Sequence, residues 1–382
     1  MHFQFSLPSS IAFAPESSKT AGHLVLGLDV KKVLAIYDSG VKGSGIADPI
    51  AASLKAAKLE VTEWDGVTAN PTDTCIEECA RLAREAQIEA IVAVGGGSAI
   101  DAGKAVAILM TNESPIAQYE GINLVKSAGP PLIAIPTTAG TASEVTSFTV
   151  VTDTARKKKM VIGGQNVGAR YALIDPLLTV SLPPALTAET GMGALSHAIE
   201  AYLSAAASVP TDINALKAIE LIARNLPRAV AHGSDVDART GMLLGSMLAG
   251  FAYNSAILGL AHSISHPLTV HCGLSHGIAN AAVLPHVMRY NAPAVSGKIR
   301  DIGLSMGLNV KEVPADEAVE TTIAAIADLS RRIGIPTLRE AEVSREAFDA
   351  IATDALKEIS TIFNPRNPKK EDVLRILENA YQ

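Results

Sequence analysis

The chain has 382 residues, 48% of them hydrophobic and 19% charged, which is enough to bury a core in each of two domains and too apolar for a disordered protein. With 32 basic against 39 acidic residues it carries a formal charge of −7, which excludes a nucleic-acid or anionic-membrane surface as the expected partner. Cys75, Cys79 and Cys272 are too few for a disulfide framework, and the spacing of the first two is neither a CxxC redox pair nor a zinc knuckle. All three are expected to be inert.

The N-terminal stretch MHFQFSLPSSIAF lacks a basic start followed by a long apolar run, so no signal peptide is expected. No uncharged apolar window is long enough for a membrane span, and a cytoplasmic location is the default expectation. Val33 to Tyr37, Leu59 to Trp64, Ala90 to Val94 and Leu132 to Ile135 read as buried strands, separated by helix-length segments such as Thr72 to Ala86. This β–α–β rhythm predicts a parallel sheet covered on both faces. A β-rich stretch follows from Ser147 to Asp175, with strand-like segments at Phe148–Val151, Met160–Ile162 and Tyr171–Ile174. The basic run Arg156 to Lys159 lies between two of these and reads as a solvated turn.

After Pro183-Pro184 the pattern becomes helical, as in Asp212 to Leu226 and Ala315 to Gly334. The predicted organisation is an α/β, Rossmann-like domain over 1–182 and an all-α domain over 183–382, with no internal repeat.

Gly95-Gly96-Gly97-Ser98-Ala99-Ile100-Asp101 follows a strand and opens a helix. Its glycines allow close backbone approach to a diphosphate, and amides at the helix start point at an anion. It is not the GxGxxG fingerprint, and a glycine turn alone is weak evidence. Asp38 ends an earlier strand, where a carboxylate accepts hydrogen bonds from both ribose hydroxyls of NAD and repels the 2′-phosphate of NADP. Taken by itself, Asp38 also reads as an ordinary strand-to-turn aspartate. A second loop, Pro136 to Glu144, offers four hydroxyls suited to a nucleotide; a polar helix cap by Thr141 or Ser143 explains it as well.

Five of the nine histidines fall between positions 262 and 286. His262 and His266 share one helical face, His276 follows a glycine-containing loop, and His197 lies on another helix of the same domain. Three or more imidazoles from separate elements suit a transition metal, although each alone reads as a core histidine.

With these stretches assembled, the sequence resembles the iron-containing, group III alcohol dehydrogenases. The matching segments are GGGSAIDAGK (95–104), PTTAGTASEVT (136–146), TGMGALSHAIEAY (190–202), GLAHSISHPL (259–268) and SHGIANAAVLPHVMRYN (275–291), with Asn364-Pro365-Arg366 near the end. The resemblance spans the whole chain in order. It implies an N-terminal nucleotide domain, a C-terminal helical domain with the active site in the cleft, and a homo-oligomer, dimeric or larger. It also implies an NAD site lined by Asp38, Asn70, Gly97, Ser98, Asp101, Thr137, Thr138, Thr141 and Lys159. His197, His262 and His276 are implied as metal ligands, with His266 beside the metal near substrate and nicotinamide. The implied reaction is hydride transfer between a small primary alcohol or diol and NAD, helped by a divalent ion acting as a Lewis acid. His266 is the candidate for passing the proton to solvent.

One position departs from the family pattern, Gly-Met-Asp-Ala-Leu, whose Asp is the fourth ligand: here it is Gly193. Glycine inside a helix costs ~0.5–1 kcal/mol relative to alanine. Zinc or reduced occupancy in place of full iron is therefore expected. Two other readings stay open: a metal-free NAD(P)H-dependent carbonyl reductase resembling maleylacetate reductase, and an inactive NAD-binding scaffold. Leu243 to Leu260, with Phe251 and Tyr253, reads as one Ala- and Leu-rich helix that lines an apolar pocket or serves only as core.

Overall fold

The computed structural model describes residues 3–382, and they separate into two compact units. Leu7–Thr138 with Ala142–Val180 form the strand-bearing unit; residues 3–6, Ala139–Thr141 and Ser181–Gln382 form the helical one. The division is therefore not a single cut near 182, because three residues of the hydroxyl-rich loop group with the helices.

The strand-bearing unit runs β1 (Ser10–Phe13), α1 (Ala21–Leu26), β2 (Lys32–Asp38), α2 (Ser39–Gly43), α3 (Asp48–Ala56), β3 (Glu60–Val67), α4 (Asp73–Glu85), β4 (Ala90–Gly95), α5 (Gly97–Thr111), β5 (Gly121–Ile122), β6 (Leu132–Pro136), β7 (Phe148–Asp153), β8 (Lys158–Gly163) and β9 (Tyr171–Ile174). Six strands form one parallel sheet in the order β1-β9-β6-β4-β2-β3, and β5-β8-β7 form a small second sheet.

The unbroken apolar runs of β2 and β4 follow from burial on both faces. Leu34, Ile36, Ile91 and Ala93 pack with Ile76 and Ala80 of α4 and Ile100 and Val106 of α5. The alternate residues Val33, Ala35, Tyr37, Val92 and Val94 pack with Val25 of α1 and Ile50 and Leu54 of α3. That alternation is the period of two of a strand, and each large apolar side chain so buried contributes ~1.5–3 kcal/mol.

The strand order also locates a binding edge. From β2 the chain turns to β3 on one side, then returns through α4 to β4 on the other. The reversal lies between the carboxyl ends of β2 and β4, where parallel α/β sheets bind ligands. Asp38 and the glycine loop stand at those two ends.

Two expectations need correction. The basic run is not simply a solvated turn: Arg156 pairs with Asp153 and Glu120, Lys158 and Lys159 belong to β8, and Lys159 is buried. Residues 243–260 are not one helix, since the helix ends at Ala256 and another begins at Leu260. At the break, Ile257 has φ 60° and ψ −175°, a conformation almost confined to glycine and strained for a β-branched residue.

The helical unit comprises α6 (Pro184–Leu203), α7 (Val209–Ala231), α8 (Val236–Ala256), α9 (Leu260–Cys272), α10 (His276–Ser305, kinked at Val295), α11 (Ala315–Arg332), α12 (Phe348–Ala355) and α13 (Lys370–Tyr381). The helix α6 is buried along most of its length and packs against α7, α8 and α10; α9 packs against α10 and α12. Among the described residues no single helix is long and apolar enough to cross a membrane. The helices α8 and α9 meet that test only as a pair, bent by 103° at the Ile257 break.

Candidate active site

Seven of the nine residues expected at a nucleotide gather beside the switch point. Gly97 and Ser98 open α5, and Gly95 before them has φ +149°, where a Cβ would also meet the Ala99 Cβ at 2.8 Å. Ser98 Oγ accepts from the backbone N–H of Asn70 (3.2 Å), and the Asn70 Oδ1 accepts from Lys159 Nζ (2.8 Å). Asn70 itself holds a left-handed φ of 55°, which its short polar side chain tolerates. Asp38 accepts from Val41 N–H (2.8 Å), capping α2, and its Oδ2 lies 3.7 Å from where a Gly95 Cβ would sit. Thr137 donates its N–H to the Gly95 carbonyl (3.0 Å), and Thr138 lies against Gly96.

Asp101 and Thr141 are placed differently. Both Asp101 oxygens are engaged internally, accepting from Ser143 Oγ (2.5 Å) and Val150 N–H (3.1 Å). Burial raises its carboxyl pKa, against the opposing charge of Lys104 and those two bonds. Lys104 is buried with it, donating to the Thr146 (2.9 Å) and Phe148 (2.6 Å) carbonyls, and burial pushes its amine down to about 8. Burial likewise pushes the neighbouring Glu144 carboxyl up to about 7. These groups tie the second loop to α5. Ser143 thus spends its hydroxyl on Asp101, and the short turn Ser143–Val145 has no side-chain cap. Thr141 groups with the helical unit, where its carbonyl accepts from Tyr253 Oη (2.5 Å).

In the helical unit, His197, His262 and His276 each offer a ring nitrogen within 4.8 Å of the others, from α6, α9 and the start of α10. Gly277 lets α10 begin this close to α6, for a Cβ there would meet the Glu189 carbonyl oxygen at 2.4 Å. His197 Nδ1 donates to the Gly140 carbonyl (3.2 Å), which directs Nε2 inward, and its ring stacks on Tyr253 with centroids 4.7 Å apart. Burial, helped by the neighbouring His262, holds this imidazole well below its usual pKa and hence neutral. His262 Nδ1 donates to Glu200 Oε2 (2.6 Å). His276 Nε2 lies 3.2 Å from the Asn280 amide nitrogen.

His266 lies outside the set whose nitrogens converge, although its ring is close by. Its ring centroid is 5.4 Å from that of His276 and 6.5 Å from that of His262, and its Nδ1 pairs with Glu358 Oε2 (3.0 Å). Imidazoles converging from three elements, two with Nδ1 turned to an oxygen acceptor, are a donor set that fits a divalent transition metal. Glu200, Glu358 and Tyr253 are the residues whose roles the sequence concealed. Glu200 and Tyr253 lie in segments already singled out, but only the fold pairs them with His262 and His197.

Comparison with known proteins accords with this geometry. The sequence pattern described as "Iron-containing alcohol dehydrogenase" matches residues 8–176, and that of the "Fe-containing alcohol dehydrogenase family, C-terminal" matches 187–381. The chain belongs to the iron-containing alcohol dehydrogenase family. Among its relatives, a 1,3-propanediol dehydrogenase of Klebsiella pneumoniae is 42% identical over 382 residues, covering 99% of each chain. An NAD-dependent methanol dehydrogenase of Bacillus methanolicus is 36% identical over 377 residues, covering 98% of this chain and 99% of its own. A crystal structure of 1,3-propanediol oxidoreductase superposes with a TM-score of 0.97 at 42% identity, covering 100% of both chains. As an iron-containing alcohol dehydrogenase the protein is an oxidoreductase that interconverts alcohols and aldehydes with NAD. Neither the metal-free reductase nor the inactive scaffold finds support among these relatives.

Proposed function

We propose that the protein acts on small primary alcohols or diols, with His197, His262 and His276 holding a divalent metal and the β2–β4 edge holding NAD. The observation that carries this reading is the set of three imidazole nitrogens within 4.8 Å of one another. The names of the relatives, a 1,3-propanediol and a methanol dehydrogenase, support the substrate class.

When bound, the ion supplies Lewis-acid polarisation of the alcohol oxygen and NAD supplies the hydride acceptor. The chain's own residues do the rest. Gly140 and Glu200 orient two of the imidazoles. His266, with Nδ1 tied to Glu358, presents Nε2 as a base for the hydroxyl proton. Gly97, Ser98, Asn70, Thr137, Thr138 and Lys159 serve the diphosphate and its neighbourhood, and Asp38 serves the ribose. Asp101 acts from behind, through Ser143 and Val150.

With three neutral donors and no carboxylate at Gly193, the bound ion keeps its full charge and is held less firmly, which favours zinc over iron by intrinsic affinity. The decisive experiment strips the protein with chelator, restores nothing, iron(II) or zinc(II), and follows NAD reduction with 1,3-propanediol and short primary alcohols. Activity is expected only in the metal-restored samples; full turnover in chelator would sink the metal reading.

Cofactor choice gives a second test. The enzyme is expected to prefer NAD, and Asp38→Gly to narrow the NAD/NADP ratio of kcat/KM by about tenfold or more, because a like-charge contact with the 2′-phosphate costs several kcal/mol. Equal use of NAD and NADP by the unmodified protein would remove Asp38 from the ribose.

A further inference from the structure

The head of α9 is served by side chains from distant segments. Leu260 N–H donates to Asn364 Oδ1 (3.3 Å), while the remaining amides turn to Glu200. This buried carboxylate accepts from Gly259 N–H (3.1 Å), Ala261 N–H (2.6 Å), His262 N–H (3.3 Å) and His262 Nδ1–H (2.6 Å). Facing four donors, its two oxygens act only as acceptors. It sits at the positive end of a 13-residue helix. Position 259 is glycine to let the carboxylate this close: a Cβ there would come within 3.0 Å of Glu200 Oε1 and 3.2 Å of Asn364 Oδ1.

Gly193, His197 and Glu200 occupy positions i, i+4 and i+7 of α6 and so share a face. We propose that Glu200 supplies through His262 the negative charge that a carboxylate at position 193 would give the ion directly. A carboxylate drawing on the Nδ1 proton makes Nε2 a more basic ligand, so part of its charge reaches the metal through the ring. The inference deepens the three-histidine reading and rests on it.

The test is zinc(II) affinity, measured on metal-stripped protein by competition with a chromophoric chelator, for the unmodified chain, Glu200→Gln, Gly193→Asp and the double variant. Glu200→Gln is expected to weaken zinc about 10- to 100-fold in the unmodified background. In the Gly193→Asp background the loss should be about tenfold smaller, because the two carboxylates then serve one charge. Equal losses in both backgrounds, or less than about a threefold loss in the first, would overturn the proposal and leave the site standing. If the unmodified chain binds no zinc, the site and the proposal fall together.

The amide of Gln turns a donor toward N–H groups, so the variant can fail to fold. For that case nitrogen-15 NMR of the metal-free, unmodified protein decides: the neutral His262 ring must carry its proton on Nδ1. A proton on Nε2 would overturn the proposal.

Discussion

Gly193→Asp raises iron(II) affinity by about 10- to 100-fold or more, since a charged ligand touching the ion is worth at least as much as a partner one bond removed. The site has room for it. A Cβ at 193 meets only the Gly277 Cα, at an ordinary 3.8 Å, in the middle of a helix whose next inward turn carries His197. The new carboxylate reduces the net charge at the ion from +2 to +1 and, as a hard oxygen donor, suits iron better than three imidazoles alone. In the metal-free protein the same change places an uncompensated carboxylate in a buried position, which destabilises. Melting temperature is therefore expected to fall without metal and to rise with iron(II). Iron titration and thermal denaturation of both forms check this; an unchanged iron affinity would refute the placement of residue 193 at the metal.

His266→Ala lowers turnover by about 10²- to 10⁴-fold, the usual worth of a positioned acid–base group, while zinc content stays near that of the unmodified protein. The geometry separates the two readouts. His266 lies outside the set whose nitrogens converge, yet its ring is 5.4 Å from that of His276, and Glu358 holds the Nδ1 proton. Steady-state kinetics beside metal analysis decides the matter: parallel loss of metal and activity would make His266 a ligand instead.

The parts of this fold that were legible are those where burial imposes a pattern on consecutive residues. Val33 to Tyr37 and Ala90 to Val94 are apolar throughout because both faces of β2 and β4 are covered. β1 carries no such imprint: Ser10–Phe13 is a partly exposed edge strand, held by its register with β9. The break at Ile257 was equally hidden, because nothing in an isoleucine announces a conformation that suits glycine.

At the site, the histidines declared themselves by number and spacing, whereas Glu200 did not. One acid in an alanine-rich helix resembles any other until the backbone amides near residue 260 are brought to it. Lys159 was named only by the family resemblance, since by itself it lies in a charged run whose other members face outward.

The grouping of Ala139–Thr141 with the helices bears on the order in which the chain is made. Gly140 and Thr141 leave the ribosome long before their partners His197 and Tyr253, which are 57 and 112 residues further on. Through that interval the strand-bearing unit can finish down to Val180, but the loop's middle has nothing to hold. Its tether waits for α6 and then α8. A nascent chain halted before α6 would carry a completed sheet with an unanchored loop, so the nucleotide edge is expected to mature only after these helices have emerged.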